Sequence, residues 1–235
     1  MRINAEFDRR VIVDSEQQTW LRSPMVGVFR RPLDRVGEEV ARATSIVKYE
    51  PGSHFSPHVH MGGEEFVVLE GVFQDEHGDF PPGSYIRNPP QSKHTPRSAT
   101  GCVIFVKLWQ FDPADRTHVR LNVNRLKPIP IKEGVRMASL YSDEFESVWV
   151  VGLAAGAEWL LSDTGGAEII VLAGDASEGD QRLLKHTWLR SPVGRSVRLV
   201  SGSAGARVWV KTGHLRHAEE QAARVMKAQS KPTSP

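Results

Sequence analysis

The residues best suited to chemistry in this chain are His58, His60, Glu64 and His94. His58 and His60 stand two apart, and in a β-strand such a pair shares one face. Met61-Gly62-Gly63 can then turn the chain, so that Glu64, opening the next strand, returns beside them. Two imidazoles and a carboxylate form an N/O donor set suited to Zn, Fe(II), Mn, Ni or Cu. A second segment, Pro89-Pro90-Gln91-Ser92-Lys93-His94, offers the fourth ligand just after a turn that proline enforces.

These residues need strands to carry them, and most of the chain reads as short strands punctuated by Gly and Pro. Residues 42–49 close at Pro51-Gly52, and residues 65–69 close at Glu70-Gly71. Residues 72–75 lead to the turn His77-Gly78-Asp79, Pro81-Pro82-Gly83 makes another turn, and residues 102–109 are rich in Val, Ile, Phe and Trp. The pattern predicts an all-β, antiparallel sandwich or barrel. One helix is expected at about residues 216–228, a loose tail at 230–235, and a single helical turn within 34–42.

The chain also repeats itself. Gly62-Gly63-Glu64-Glu65 recurs as Gly165-Gly166-Ala167-Glu168, Arg87 and Pro89 as Arg190 and Pro192, and, after a one-residue insertion, Val106-Lys107 as Val210-Lys211. The constant offset predicts two copies of one fold joined near residues 127–130. At that offset the four candidate ligands fall on Leu161, Asp163, Ala167 and Val197. The second copy is therefore expected to keep the fold and lack the site, giving one metal per chain. A separate echo, Trp20-Leu21-Arg22-Ser23-Pro24 against Trp188-Leu189-Arg190-Ser191-Pro192, breaks the offset and suggests that an N-terminal strand completes a sheet.

Gly52, His58, His60, Glu64 and Gly71 occupy every named position of G-x5-H-x-H-x3-E-x6-G, and Gly83, Pro89 and His94 match G-x5-P-x-G-x2-H-x3-N, with Gln91 and Ser98 as departures. The chain thus resembles the cupin superfamily. The resemblance implies two jelly-roll β-barrels in tandem with a short C-terminal helix. The expected division is a metal-binding cupin at 1–127, a degenerate cupin at 128–215, and helix and tail at 216–235. It also implies His58, His60, Glu64 and His94 as the metal ligands.

Residues 42–47, Gly62-Gly63-Glu64-Glu65, Arg87-Asn88-Pro89-Pro90 and Gly101-Cys102 narrow the resemblance to the cupin domain of ChrR-type zinc-dependent anti-sigma factors. Those proteins carry a separate zinc-binding helix domain with an H-x3-C-x2-C motif. Here Cys102 is the only cysteine, so the likeness covers the sensory half and direct sigma-factor binding is not implied. The resemblance implies a sensory or regulatory module binding one divalent metal, zinc first, with iron, manganese or nickel as alternatives. Related three-His, one-Glu cupins are Fe(II)-type dioxygenases that cleave C–C bonds of diketones or hydroxyacetophenones. That makes an enzyme the second reading, and a metal-stabilised structural module the third.

A net charge of +2 argues against nucleic-acid binding through bulk charge. One cysteine allows no intrachain disulfide, and no long apolar run points to a membrane, so a cytoplasmic protein is expected. A small-molecule ligand at the metal and a homodimer are both compatible with these features. His54, His77, His118, His186, His214 and His217 are expected at the surface or in turns, Cys102 and the tryptophans in the core, and Glu65 on the face opposite Glu64. Lys107 and Arg87 are expected at the barrel mouth or on an exposed strand.

Overall fold

Alternating β-branched and aromatic residues fit a pleated, half-buried surface, and strands dominate the computed structural model, which describes residues 1–162 and 165–230. Asp163, the expected counterpart of His60, and residues 231–235 of the expected tail lie outside the described residues.

The backbone groups into two compact units that are not consecutive in sequence. The first comprises Met1–Ala5, Thr19–Asn124 and the chain from Ala218; the second comprises Glu6–Gln18 and Arg125–His217.

The first unit is built on an eight-stranded antiparallel sheet. Its path runs Arg2–Ile3, Val28–Gly37, Ala41–Tyr49, Cys102–Leu108, Glu64–Gly71, Ser84–Asn88 and Val119–Asn122, and Leu21–Arg22 also pairs with Val28–Gly37. Smaller sheets hold Gly78–Phe80, Phe73–Asp75, Arg97–Ser98 and Ser53–His54, and the pair His58–His60 with Ser92–His94. Phe73 joins the small and large sheets, packing on Phe66 at 4.6 Å and edge-on to Tyr49 at 5.8 Å. Val28, Val47, Val68, Ile86, Cys102, Ile104 and Val106 complete this core. Cys102 is buried as expected, and burial pushes its thiol up to about 11, so it is an inert core residue.

The second unit holds a nine-stranded sheet with the same internal registers. Glu65 lies opposite Lys107 and Arg87 on neighbouring strands, and Glu168 lies opposite Lys211 and Arg190 in the same way. Gly71 and Gly174 both adopt φ +67°, and a Cβ on either would lie 2.0 Å from the carbonyl oxygen of Gly101 or Gly205. Only glycine fits there. The sequence repeat is therefore a repeat of strand pairing.

An N-terminal strand does complete a sheet: Val11–Asp14 pairs antiparallel with the strand Thr187–Ser191 of the second unit. The Trp20–Pro24 echo behaves differently, since its Leu21–Arg22 pairs within the first unit. The helix Ala218–Gln229 packs on Val28–Gly37 and Ala41–Tyr49. It turns Ala218, Gln221, Ala222 and Val225 inward, the spacing of one helical face. The expected first turn at Arg216 is instead a 3-10 turn, His214–His217. Among the described residues no helix is long and apolar enough to cross a membrane.

Three expectations are corrected. The helical turn expected within 34–42 is absent, because Val28–Gly37 and Ala41–Tyr49 form a paired β-hairpin and sheet pairing overrides local helix propensity. Of the histidines expected at the surface or in turns, His186 and His214 do sit in turns but are buried rather than exposed, bonded through Nδ1 to Glu16 and through Nε2 to Glu168, each at 2.9 Å. Lys107 and Arg87 are neither at a mouth nor exposed. The Lys107 ammonium donates to Thr44 Oγ1 at 3.0 Å, and Arg87 stacks 4.1 Å over Phe111 and pairs with Asp115.

Candidate metal centre

The strand His58–His60 pairs with Ser92–His94 so that His58 lies directly opposite His94. His60 is on the same face two residues on. The turn to Glu64 uses Gly63 at φ +78°, whose N–H donates to the His60 carbonyl at 3.3 Å. A Cβ on Gly63 would sit 2.5 Å from the Phe111 ring. Gln91, standing where the cupin pattern has glycine, adopts φ +71°, and its N–H donates to the same His60 carbonyl at 2.8 Å. The departure keeps the glycine-like turn at a strain of about 1 kcal/mol.

All four expected residues come together. One ligand atom from each of His58, His60 and His94 lies within 4.8 Å of the others. Glu64 Oε2 is 3.4 Å from both His60 Nε2 and His94 Nε2, which are 2.8 Å from each other. Donors about 2.1 Å from a zinc-sized ion lie about 3.4 Å apart across a tetrahedron, so the carboxylate–imidazole separations fit a shared ion. The His60–His94 pair would spread slightly. Glu65 points away as expected, with Tyr85 Oη donating to it at 2.5 Å.

Neighbouring groups choose the ring nitrogens. His94 Nδ1 is 3.1 Å from Asp75 Oδ2, and His58 Nδ1 is 2.9 Å from the Ser56 carbonyl. Both acceptors take an Nδ1 proton and leave Nε2 with its lone pair. Asn88 Nδ2 donates to Glu64 Oε2 at 3.3 Å. Burial lowers His60 to about 4 despite the Glu64 charge, so its ring is neutral at ordinary pH. Burial also opposes the charge on His94, but the Asp75 hydrogen bond and the Glu64 and Asp75 charges outweigh it and raise that imidazole. For Glu64, burial is outweighed by the three imidazoles and the Asn88 bond, which hold the carboxyl below its usual range.

A cavity of about 410 Å³ reaches His58, His60 and Glu64. It is lined mainly by apolar side chains of the first barrel. In the second unit, Leu161 lies directly opposite Val197, as His58 lies opposite His94, and both pack with Ala167 in an apolar core.

Residues 8–112 match the family described as the ChrR cupin-like domain. Over those residues the chain is similar to the ChrR cupin-like domain. All four clustered residues and Asp75 lie within it. Comparison with curated protein sequences gives no match. Solved structures extend the cupin fold over both barrels. A candidate dioxygenase of Nostoc punctiforme superposes with TM-score 0.74 at 15% identity, covering 92% of this chain and 88% of that one. Escherichia coli YlbA gives 0.68 at 15%, covering 89% and 93%. The E. coli pirin YhhW, in complex with nickel(II), gives 0.64 at 12%, covering 87% and 99%.

Sequence reading missed the groups around the ChrR cupin-like cluster. Asp75 sits beside a turn, and only the fold brings it to His94. Asn88, directly before Pro89, pairs with Glu64 across two strands. That pairing was the one available signal, since the strand–proline junction was visible.

Proposed function

We propose that this chain is a metal-dependent regulatory bicupin that binds one divalent transition metal per chain through His58, His60, Glu64 and His94. The observation that carries this reading is the convergence of three imidazole nitrogens and the Glu64 carboxylate, with Asp75 and Ser56 orienting two of the rings. Four N/O ligands suit zinc, which favours four-coordination, and nickel(II) bound to the E. coli pirin supports a transition metal in such a barrel. The resemblance to ChrR cupin domains supports the regulatory role. When bound, the metal would act as a Lewis acid at the end of the cavity. His94 and His58 would hold their Nε2 lone pairs toward it, and Asn88 would steady the Glu64 carboxylate.

The cavity favours a second reading, a metal-dependent dioxygenase, because a small molecule can reach the cluster. The Nostoc protein adds weight to it. Purified protein should contain one equivalent of metal, lost in His58→Ala. Two equivalents, with the second indifferent to that change, would count against the ligand set. An oxygen electrode separates the two roles. The regulatory reading expects iron-loaded protein to show no uptake with small diketones or hydroxyacetophenones. Turnover at about 1 s⁻¹ or faster would make the protein an enzyme.

A further inference from the structure

The strand Val28–Gly37 changes register against Ala41–Tyr49 between Pro32 and Asp34. Arg30 lies opposite Val47, Pro32 opposite Ser45, and Arg35 opposite Ala43, with Leu33 as the extra residue. In a regular strand, residues five apart point to opposite faces. The bulge reverses that and puts Arg30 and Arg35 on one face. That face is the one of Val47 and Ser45, which line the cavity beside the histidine cluster.

Both arginines line this cavity, and His58, His60 and Glu64 line it too. The remaining wall is largely apolar, including Val47, Phe55, Ile104, Val106 and Leu108. Among the described residues Arg30 has no carboxylate partner. Arg35 spends Nε on the Gly37 carbonyl and Nη2 on that of Glu38, so backbone orients its charge; among the described residues it has no salt bridge, although the Glu39 and Glu38 charges act on it. Burial and then the nearby Arg30 lower the Arg35 guanidinium, which shows that the two positive charges feel each other. Glu39 is the one acidic group on the same wall apart from Glu64, and it is exposed. The Tyr49 hydroxyl has no protein partner among the described residues and lies within the fields of both Glu64 and Arg30. Two arginines on one strand face of the wall, an otherwise apolar lining and a polar far end describe a site for an elongated organic anion.

We infer that the cavity binds a small monocarboxylate with an apolar body, its carboxylate held by Arg30 and Arg35 and its other end toward the His58–His60–Glu64 cluster. The position of that other end rests on the metal reading above; the anion preference at Arg30 does not. Binding would be measured by calorimetry on the full chain, zinc-loaded and metal-free. The probes are octanoate, hydrocinnamate and para-acetylbenzoate, each beside its neutral primary amide. At least one carboxylate should bind at least about tenfold tighter than its amide, the worth of one charge-assisted contact. Arg30→Met should erase that preference while leaving the amide affinity and the metal content unchanged. Arg30 is half-exposed, so its loss spares the core. Arg35→Met, with circular dichroism to verify folding, gives a second reading of the same preference. The inference is overturned if no carboxylate saturates the protein below about 1 mM, if amides bind as tightly as acids, or if Arg30→Met keeps the preference. Failure of the metal reading looks different: elemental analysis finds no metal, yet the metal-free protein still prefers the carboxylate.

Discussion

Replacing His60 by alanine should weaken metal binding by at least about 100-fold while the first barrel stays folded. Loss of a group that merely orients a ligand costs about 10- to 100-fold, and His60 is itself a proposed ligand, with Nε2 3.4 Å from Glu64 and 2.8 Å from His94. The core of Val28, Val47, Phe66, Phe73, Ile104 and their neighbours contains none of the four ligands. The barrel therefore does not depend on metal as a zinc finger does. Competition against a chromophoric chelator reads the affinity, and circular dichroism reads the fold. Unchanged affinity would remove His60 from the ligand set. The same titration run against pH has a defined sign. Metal requires neutral imidazole, and His94 is raised above its ordinary value of 6.5 in the metal-free protein. Affinity should be full above that raised value and, for the one proton on His94, fall below it with a slope that approaches about tenfold per pH unit. His60, lowered to about 4, adds a further proton only in strong acid.

Arg42→Ala should cost the protein about 3–5 kcal/mol of stability, the range for breaking a buried ion pair. Arg42 and Asp34 are both fully buried. The guanidinium donates from Nη1 to Asp34 at 3.3 Å, from Nη2 to Gln110 at 3.2 Å, and from Nε to Gln221 of the C-terminal helix at 3.0 Å. Alanine strips the buried Asp34 carboxylate of its guanidinium and leaves two amide oxygens short of donors. Urea denaturation measures the loss. A change below about 1 kcal/mol, within reach of a surface substitution, would mean that this cluster does not hold the helix.

The cluster itself was legible because its information is local. His58 and His60 share a face by strand period alone, and Gly63 and the Pro89-Pro90 turn return Glu64 and His94 to them. The doubled barrel was legible because glycines such as Gly71 and Gly174 meet a backbone carbonyl that no side chain tolerates. What stayed hidden was long-range. Asp75 reaches His94, and Glu168 reaches His214, only after strands far apart in sequence have paired. Lys107 and Arg87 read as solvent-facing because long cations usually are; partners from other strands allow them to be buried. The bulge at Leu33 left no mark in the hydrophobic pattern, yet it decides which way Arg35 points.

The interleaving of the two units bears on the order in which a growing chain can finish them. The four clustered ligands are encoded by residue 94, and their sheet is laid down by residue 122, but the helix that covers Arg42 arrives only with residues 218–229. Meanwhile Val11–Asp14, made among the first residues, must wait for Thr187–Ser191 before it has an edge to join. On a ribosome delivering about 5–20 residues per second, the early strand stays without its sheet, and Arg42 without its cover, for roughly ten to thirty-five seconds. The barrel that comes first in the sequence is thus the last to be closed.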